Sequence, residues 1–251
     1  MTIAEGIAIA AAGMAAGTIN TVVGSGTLIT FPTLLALGYP PLTANVSNNV
    51  GLFPGGLSGV HGYREELEGQ HKRALRLGTA SLVGGLSGAI ALLTLPPGAF
   101  KAIVPVFIAI ALVFVVLQPR ISARLADRPR PPAGHEGAPI LAAVYVTGAY
   151  GGYFGAAQGI ILLAFLGAFI PEPLQRVNGL KNVLATIVNG VAAVVFILVA
   201  HIDWGAAALI AGGSIVGAQI GARYGRRLHP AALRVLIVLV GLTALVRLLP
   251  F

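Results

Sequence analysis

Cysteine is absent from this 251-residue chain. Its absence excludes disulfide staples, thiol nucleophiles, iron–sulfur clusters and Cys-ligated metals. Charge is scarce as well: Asp, Glu, Lys and Arg make up 10% of the residues, where soluble domains carry about a quarter. So few polar groups cannot cover the surface of a soluble globule. Catalytic signatures are missing too. There is no His-Glu-x-x-His, no Gly-x-Ser-x-Gly and no Gly-Lys-Ser/Thr phosphate loop, and the five histidines are scattered without metal-ligand spacing. These gaps argue against an enzyme, a cofactor, a metal and a nucleotide-driven pump.

What the chain does have is apolar. Hydrophobic residues make up 56%, with 34 glycines, 16 prolines and a mean hydropathy of +0.88. Gly and Pro are commoner in membrane helices than in soluble ones, so the expectation is an all-α polytopic membrane protein. The net charge is +8. In a soluble protein that would suggest nucleic acid; here it reads as the excess of Lys and Arg in cytoplasmic loops of a plasma (inner) membrane protein. The opening residues MTIAEGIAIAAAGMAAG carry Glu5 and no basic n-region, so they read as the first membrane segment.

A full span needs about 20 apolar residues. Six stretches come close, at 43–63, 76–95, 100–117, 178–200, 205–222 and 232–250. The break at 118–137, with Pro129, Pro131, Pro132 and Gly134, reads as an irregular cytoplasmic linker (118–138) between a first membrane repeat (1–117) and a second (139–251). Two further stretches, 3–37 and 139–170, are too long for one span and short for two. Each is interrupted by glycine and polar residues, at 20–27 and at 151–159. Such interruptions at matching places in two halves point to a transporter site.

The halves match at a constant offset. Gly26 and Gly159, Pro40 and Pro173, Asn45 and Asn178, and Asn49 and Asn182 are each 133 apart, which also aligns Ser25 with Gln158 and Asn48 with Lys181. If each interrupted segment is a re-entrant hairpin, 14 of the 16 basic residues share one face, leaving Lys101 and Arg247 opposite. If the second segment crosses instead, the split is 9 to 7. The positive-inside rule prefers the hairpins, with both termini outside the cytoplasm. One hairpin plus three spans per half makes the halves inverted repeats, with the tips near the bilayer midplane.

The tips offer the ingredients of an anion site. A half-helix N-terminus carries free N–H groups and partial positive charge, and glycine lets a ligand approach the backbone. The candidate binding residues are Asn20, Gly24, Ser25, Gly26 and Thr27 from the first tip, and Ala157, Gln158 and Gly159 from the second. Asn48, Asn49, Lys181 and Asn182 join them from the helices that follow. Each has a plainer reading: small residues pack helices closely, Asn45 and Asn178 cap their helices, and Lys181 snorkels to the interface. No carboxylate lies well inside a span; Glu5 and Asp203 sit near helix ends, and His61 and His201 are interfacial.

The run GSGTLITFPTLLALGYPPLTANVSNNVGLFPGGLSGVHGYR (24–64) resembles the first signature of the TauE/SafE sulfite-exporter family. GGYFGAAQGIILLAFLGAFIPEPLQRVNGLKNVLATIVNGVAAVVF (151–196) is similar to its second, with a glycine-rich turn and Asn-x-x-Lys-Asn. The resemblance implies transport, usually outward, of sulfite, thiosulfate, organosulfonates or related small anions. The rivals are an anion channel or facilitator and a small-carboxylate transporter. The expected partners are that small anion and membrane lipid, with a homodimer allowed and nucleic acid excluded.

Overall fold

The computed structural model describes residues 1–126, 137–225 and 230–248. Among the described residues there are ten helices: α1 (Ile3–Val22), α2 (Thr27–Ala36), α3 (Pro41–Gly62), α4 (His71–Thr94), α5 (Pro97–Ala126), α6 (Ala138–Tyr153), α7 (Gln158–Phe169), α8 (Leu174–Val199), α9 (Trp204–Tyr224) and α10 (Pro230–Leu248). Among the described residues there is no strand. α3, α4 and α5 begin at 41, 71 and 97, and α8, α9 and α10 begin 133 residues later in each case, at 174, 204 and 230. The first part of the expected linker is instead helical, since α5 carries on through Pro119 to Ala126; its prolines at 129, 131 and 132 lie outside the described residues.

Among the described residues five helices are long and apolar enough to cross a membrane: α1, α4, α8, α9 and most of α5. α3 has the length but a polar first half. Its Asn45, Ser47, Asn48 and Asn49 are all buried, because a bilayer gives such groups no partner and the bundle must supply one.

Glycine contacts set the helix directions. α1 runs parallel to α9, with Gly13 on Ile210, Gly17 on Ser214 and Gly221 on Thr18. α3 also runs parallel to α9, through Gly51 on Ile210, Gly55 on Ser214 and Gly62 on Ala222. α1 and α3 therefore point the same way, and α2 between them turns back. Residues 5, 39 and 203 accordingly lie at one end: burial raises the pKa of the Tyr39 phenol, and the carboxylates of Asp203 and Glu5 raise it further.

The second half repeats this. α4 runs parallel to α6 (Gly84 on Tyr145, Gly88 on Ala149) and to α8 (Gly78 on Ile187, Gly85 on Val188), so α7 turns back. α3 and α8 run in opposite directions, with Phe53 against Gly190 and Gly56 against Thr186.

Each hairpin is held by the other half of the chain. α1 packs on α9, and α6 packs on α4, through interfaces so close that a Cβ on Gly217 or Gly88 would overlap Met14 or Ala149 backbone. Close backbone approach through small residues is how helices associate where lipid removes the hydrophobic drive.

Candidate substrate site

The two breaks share one backbone solution. α1 ends in Gly24 at φ +92°, and α6 ends in Gly155 at φ +77°. Both glycines take the left-handed conformation that closes helix C-termini at little steric cost. Gly24 N donates to Ile19 O at 2.8 Å and Gly155 N to Tyr150 O at 3.1 Å. Gly24 thus corresponds to Gly155, 131 residues on, and Thr27 to Gln158, each opening its returning helix. This corrects the sequence alignment of Ser25 with Gln158. The capping glycines, not the gapless offset, set the local register.

The tips touch each other. Gly159 N donates to Gly24 O at 3.0 Å, and a Cβ on either glycine would overlap the other's Cα. Gly26 N donates to Asn20 Oδ1 at 2.7 Å. The amides of Gly26 and Gly159, expected to face a ligand, are therefore already paired. Those two amides are not free for a ligand.

Beside the tips lies a cavity of about 40 Å³, room for about three waters at one probe sphere each. Seven of the expected residues line it: Asn20, Gly24, Thr27, Gln158, Gly159, Lys181 and Asn182. No carboxylate does. Gln158 is buried, and its Nε2 has no hydrogen-bond partner. An unpaired amide is costly at such depth, so Gln158 is a candidate ligand donor.

The other five lie elsewhere. Ser25 and Ala157 are buried behind the tips, with the Ser25 hydroxyl unpartnered and Ala157 held at φ +59°. Gly26 contacts the Ala16 backbone. Asn48 Oδ1 accepts from the Thr30 hydroxyl. Asn49 reaches the wall only indirectly, donating from Nδ2 to Asn189 Oδ1 at 3.3 Å.

Sequence reasoning missed Thr21, Gly55, Gly59, Thr186 and Asn189, all on the cavity wall. A signal was present: Asn182, Thr186 and Asn189 follow the i, i+4, i+7 spacing of one helix face, as Gly55 and Gly59 do.

Two plainer readings are overturned. Asn45 and Asn178 do not cap, because Pro40 and Pro173 hold the N-cap positions. Each reaches across to the other half's broken helix instead. Asn45 Nδ2 donates to Tyr153 O at 3.0 Å, and Asn178 Nδ2 donates to Thr21 O at 3.2 Å and to the Tyr63 hydroxyl at 2.9 Å. The last carbonyls of a broken helix have no partner of their own, and a bilayer supplies no water to serve them.

Lys181 does not snorkel. It is 1% exposed, and its Nζ donates to Asn20 O at 2.9 Å and to Thr21 O at 3.4 Å. Asn182 Nδ2 adds a third α8 donor to the first tip, on Thr21 O at 3.3 Å.

The second tip is embedded in rings instead. Phe154 meets Phe31 edge-on at 5.2 Å and stacks on Phe107 at 5.9 Å.

Two gapped hairpins touch beside a small cavity, and comparison with known proteins gives the family. The family described as Sulfite exporter TauE/SafE matches residues 9–248. The chain belongs to this family. A relative from a Sinorhizobium species, the probable membrane transporter protein ORF9, is 28% identical over 236 residues, covering 93% of this chain and 88% of the relative. The probable membrane transporter protein YfcA of Escherichia coli K12 is 25% identical over 228 residues, 90% of this chain and 83% of the relative. A probable membrane transporter protein of Haemophilus influenzae is 27% identical over 221 residues, 84% and 81% of the two chains. No solved structure matches. This TauE/SafE chain is a multi-pass membrane transporter.

Proposed function

We propose that this transporter carries a small sulfur oxyanion, such as sulfite, thiosulfate or a compact organosulfonate, outward across the plasma membrane. The observation that carries the reading is the buried Lys181 ammonium on a cavity wall where, among the described residues, no carboxylate lies and the unpartnered Gln158 amide also stands. A cation kept from water is stabilised by an anion, and an oxyanion accepts charge-assisted hydrogen bonds from both groups. The sulfur chemistry rests on the family description alone.

The opposed directions of α3 and α8 support reading the halves as inverted repeats that rock about a fixed site. The basic face with loops 64–70 and 170–173 is then cytoplasmic, by the positive-inside rule.

Purified protein in liposomes provides the test. Sulfite uptake should saturate and show counterflow when the vesicles are preloaded with unlabelled sulfite. Flux without saturation or counterflow identifies a channel. Counterflow driven by acetate or lactate but not by sulfite or thiosulfate identifies a carboxylate carrier.

A further inference from the structure

We propose that the Lys181 ammonium is a tethered cation filling a cation site built from the last carbonyls of α1, so that transport needs no sodium or potassium ion at that place. The inference deepens the anion-carrier reading and rests on it for the cavity's occupant.

α1 stops inside the bundle, and its terminal carbonyls carry the partial negative charge of a helix C-terminus. In transporters with broken helices such carbonyls are where coupling cations bind. Here Lys181 Nζ already occupies the place, on Asn20 O and Thr21 O. Among the described residues the surrounding helices bring no rival charge: Gly59 of α3 and Gly221 of α9 face Thr21, and Asn178 and Asn182 complete Thr21 O. Among the described residues no carboxylate pairs with Lys181.

The second tip shows that closing a broken helix does not require a cation. Tyr153 O is served by the neutral Asn45 amide, and Asn48, the repeat counterpart of Lys181, bonds Thr30. Lys181 stands on the cavity wall and Asn48 does not, so the charge at 181 serves the cavity. An ammonium has three protons. Two are taken by carbonyls, which leaves one for the cavity's occupant. A cation tethered in this way keeps the site charged in any salt.

Full-length protein in detergent tests this by thermal unfolding. For the wild type, replacing sodium and potassium with N-methylglucamine should change neither the midpoint nor its shift with sulfite. Lys181→Ala deletes the atoms of a propylammonium ion. Added propylammonium should raise the midpoint of that variant, with no anion present, while leaving the wild type unmoved. The sulfite response, lost in N-methylglucamine, should return with propylammonium.

A wild-type sulfite response that needs sodium or potassium overturns the proposal. So does a folded Lys181→Ala protein indifferent to sodium, methylammonium and propylammonium. Should that variant not fold, Lys181→Gln keeps amide donors for the carbonyls without the charge. It should fold and bind sulfite at least tenfold more weakly; wild-type affinity overturns the proposal. Midpoint rescue by propylammonium without any sulfite response upholds the cation site and rejects the sulfur-anion reading instead.

Discussion

The two hairpin tips close their first helix alike and differ in chemistry. Each ends its first helix in a left-handed glycine, and each has a terminal carbonyl held by an asparagine from the other half. At the first tip the residues are Asn20 and Thr21, held by three polar side chains of α8, one of them a cation. At the second they are Tyr153 and Phe154, set among Phe31, Phe100 and Phe107. The shared part is what a bilayer demands of any interrupted helix, since unpaired backbone groups there are costly. The part that differs decides where a polar ligand has room. A repeated fold thus acquires a cavity with a cation from one half only.

The comparison can be broken most forcefully at the glycines. Gly24→Ala puts a Cβ at positive φ and into the Gly159 backbone, whereas Gly155→Ala meets Gly151 O at 3.0 Å. Gly24→Ala should cost about 2–5 kcal/mol and Gly155→Ala about 1–2 kcal/mol, read from unfolding midpoints in detergent. Equal losses would mean that the tip contact contributes nothing.

The asparagines come next. Asn45→Ala leaves Tyr153 O without its amide donor and should cost about 1–3 kcal/mol. Asn182→Ala should cost less, because Asn178 and Lys181 still serve Thr21 O. The reverse order in the same assay would show that the first tip is the more weakly held.

A third contrast concerns the ligand. Gln158→Leu should weaken sulfite binding about tenfold, or about 1.4 kcal/mol, while Ser25→Ala should leave it unchanged, since Ser25 lies off the cavity wall. Titration calorimetry reads both, and a larger loss at Ser25 would return the site to the gapless alignment.

The smallest effect lies at the basic end. Burial alone would raise the Glu172 carboxyl, but hydrogen bonds from Arg176 at 2.8 Å and Arg73 at 3.2 Å hold it below the usual range. A carboxylate with a depressed pKa stabilises the fold above its unfolded value, and that contribution is lost as pH falls through the folded one. Glu172→Gln should therefore cost about 0.5–1 kcal/mol at neutral pH and flatten the acid limb of a stability–pH curve. An unchanged limb would exclude the ion pair as a stabilising contact.

Much of this was legible in the chain itself. Hydropathy and glycine content specify a helical membrane bundle, and the 133-residue offset predicts the starts of the three long helices in the second half. The broken segments showed as polar residues inside apolar runs, because lipid admits such residues only where the protein pairs them. Lys181, Gln158 and Thr27 were singled out for the same reason.

Three matters belonged to tertiary structure alone. The correspondence of Gly24 with Gly155 depends on φ, which residue identity does not reveal when other glycines stand nearby. The reach of Asn45 and Asn178 depends on which helix packs opposite, and near a helix start an asparagine looks the same whether it caps or crosses. The cavity is lined by both tips but charged from one half only, because α8 brings a lysine to its wall while rings from α2 and α5 pack on Tyr153 and Phe154. A sequence determines which groups must find partners inside a membrane; only the packing of the whole bundle decides which partners they find.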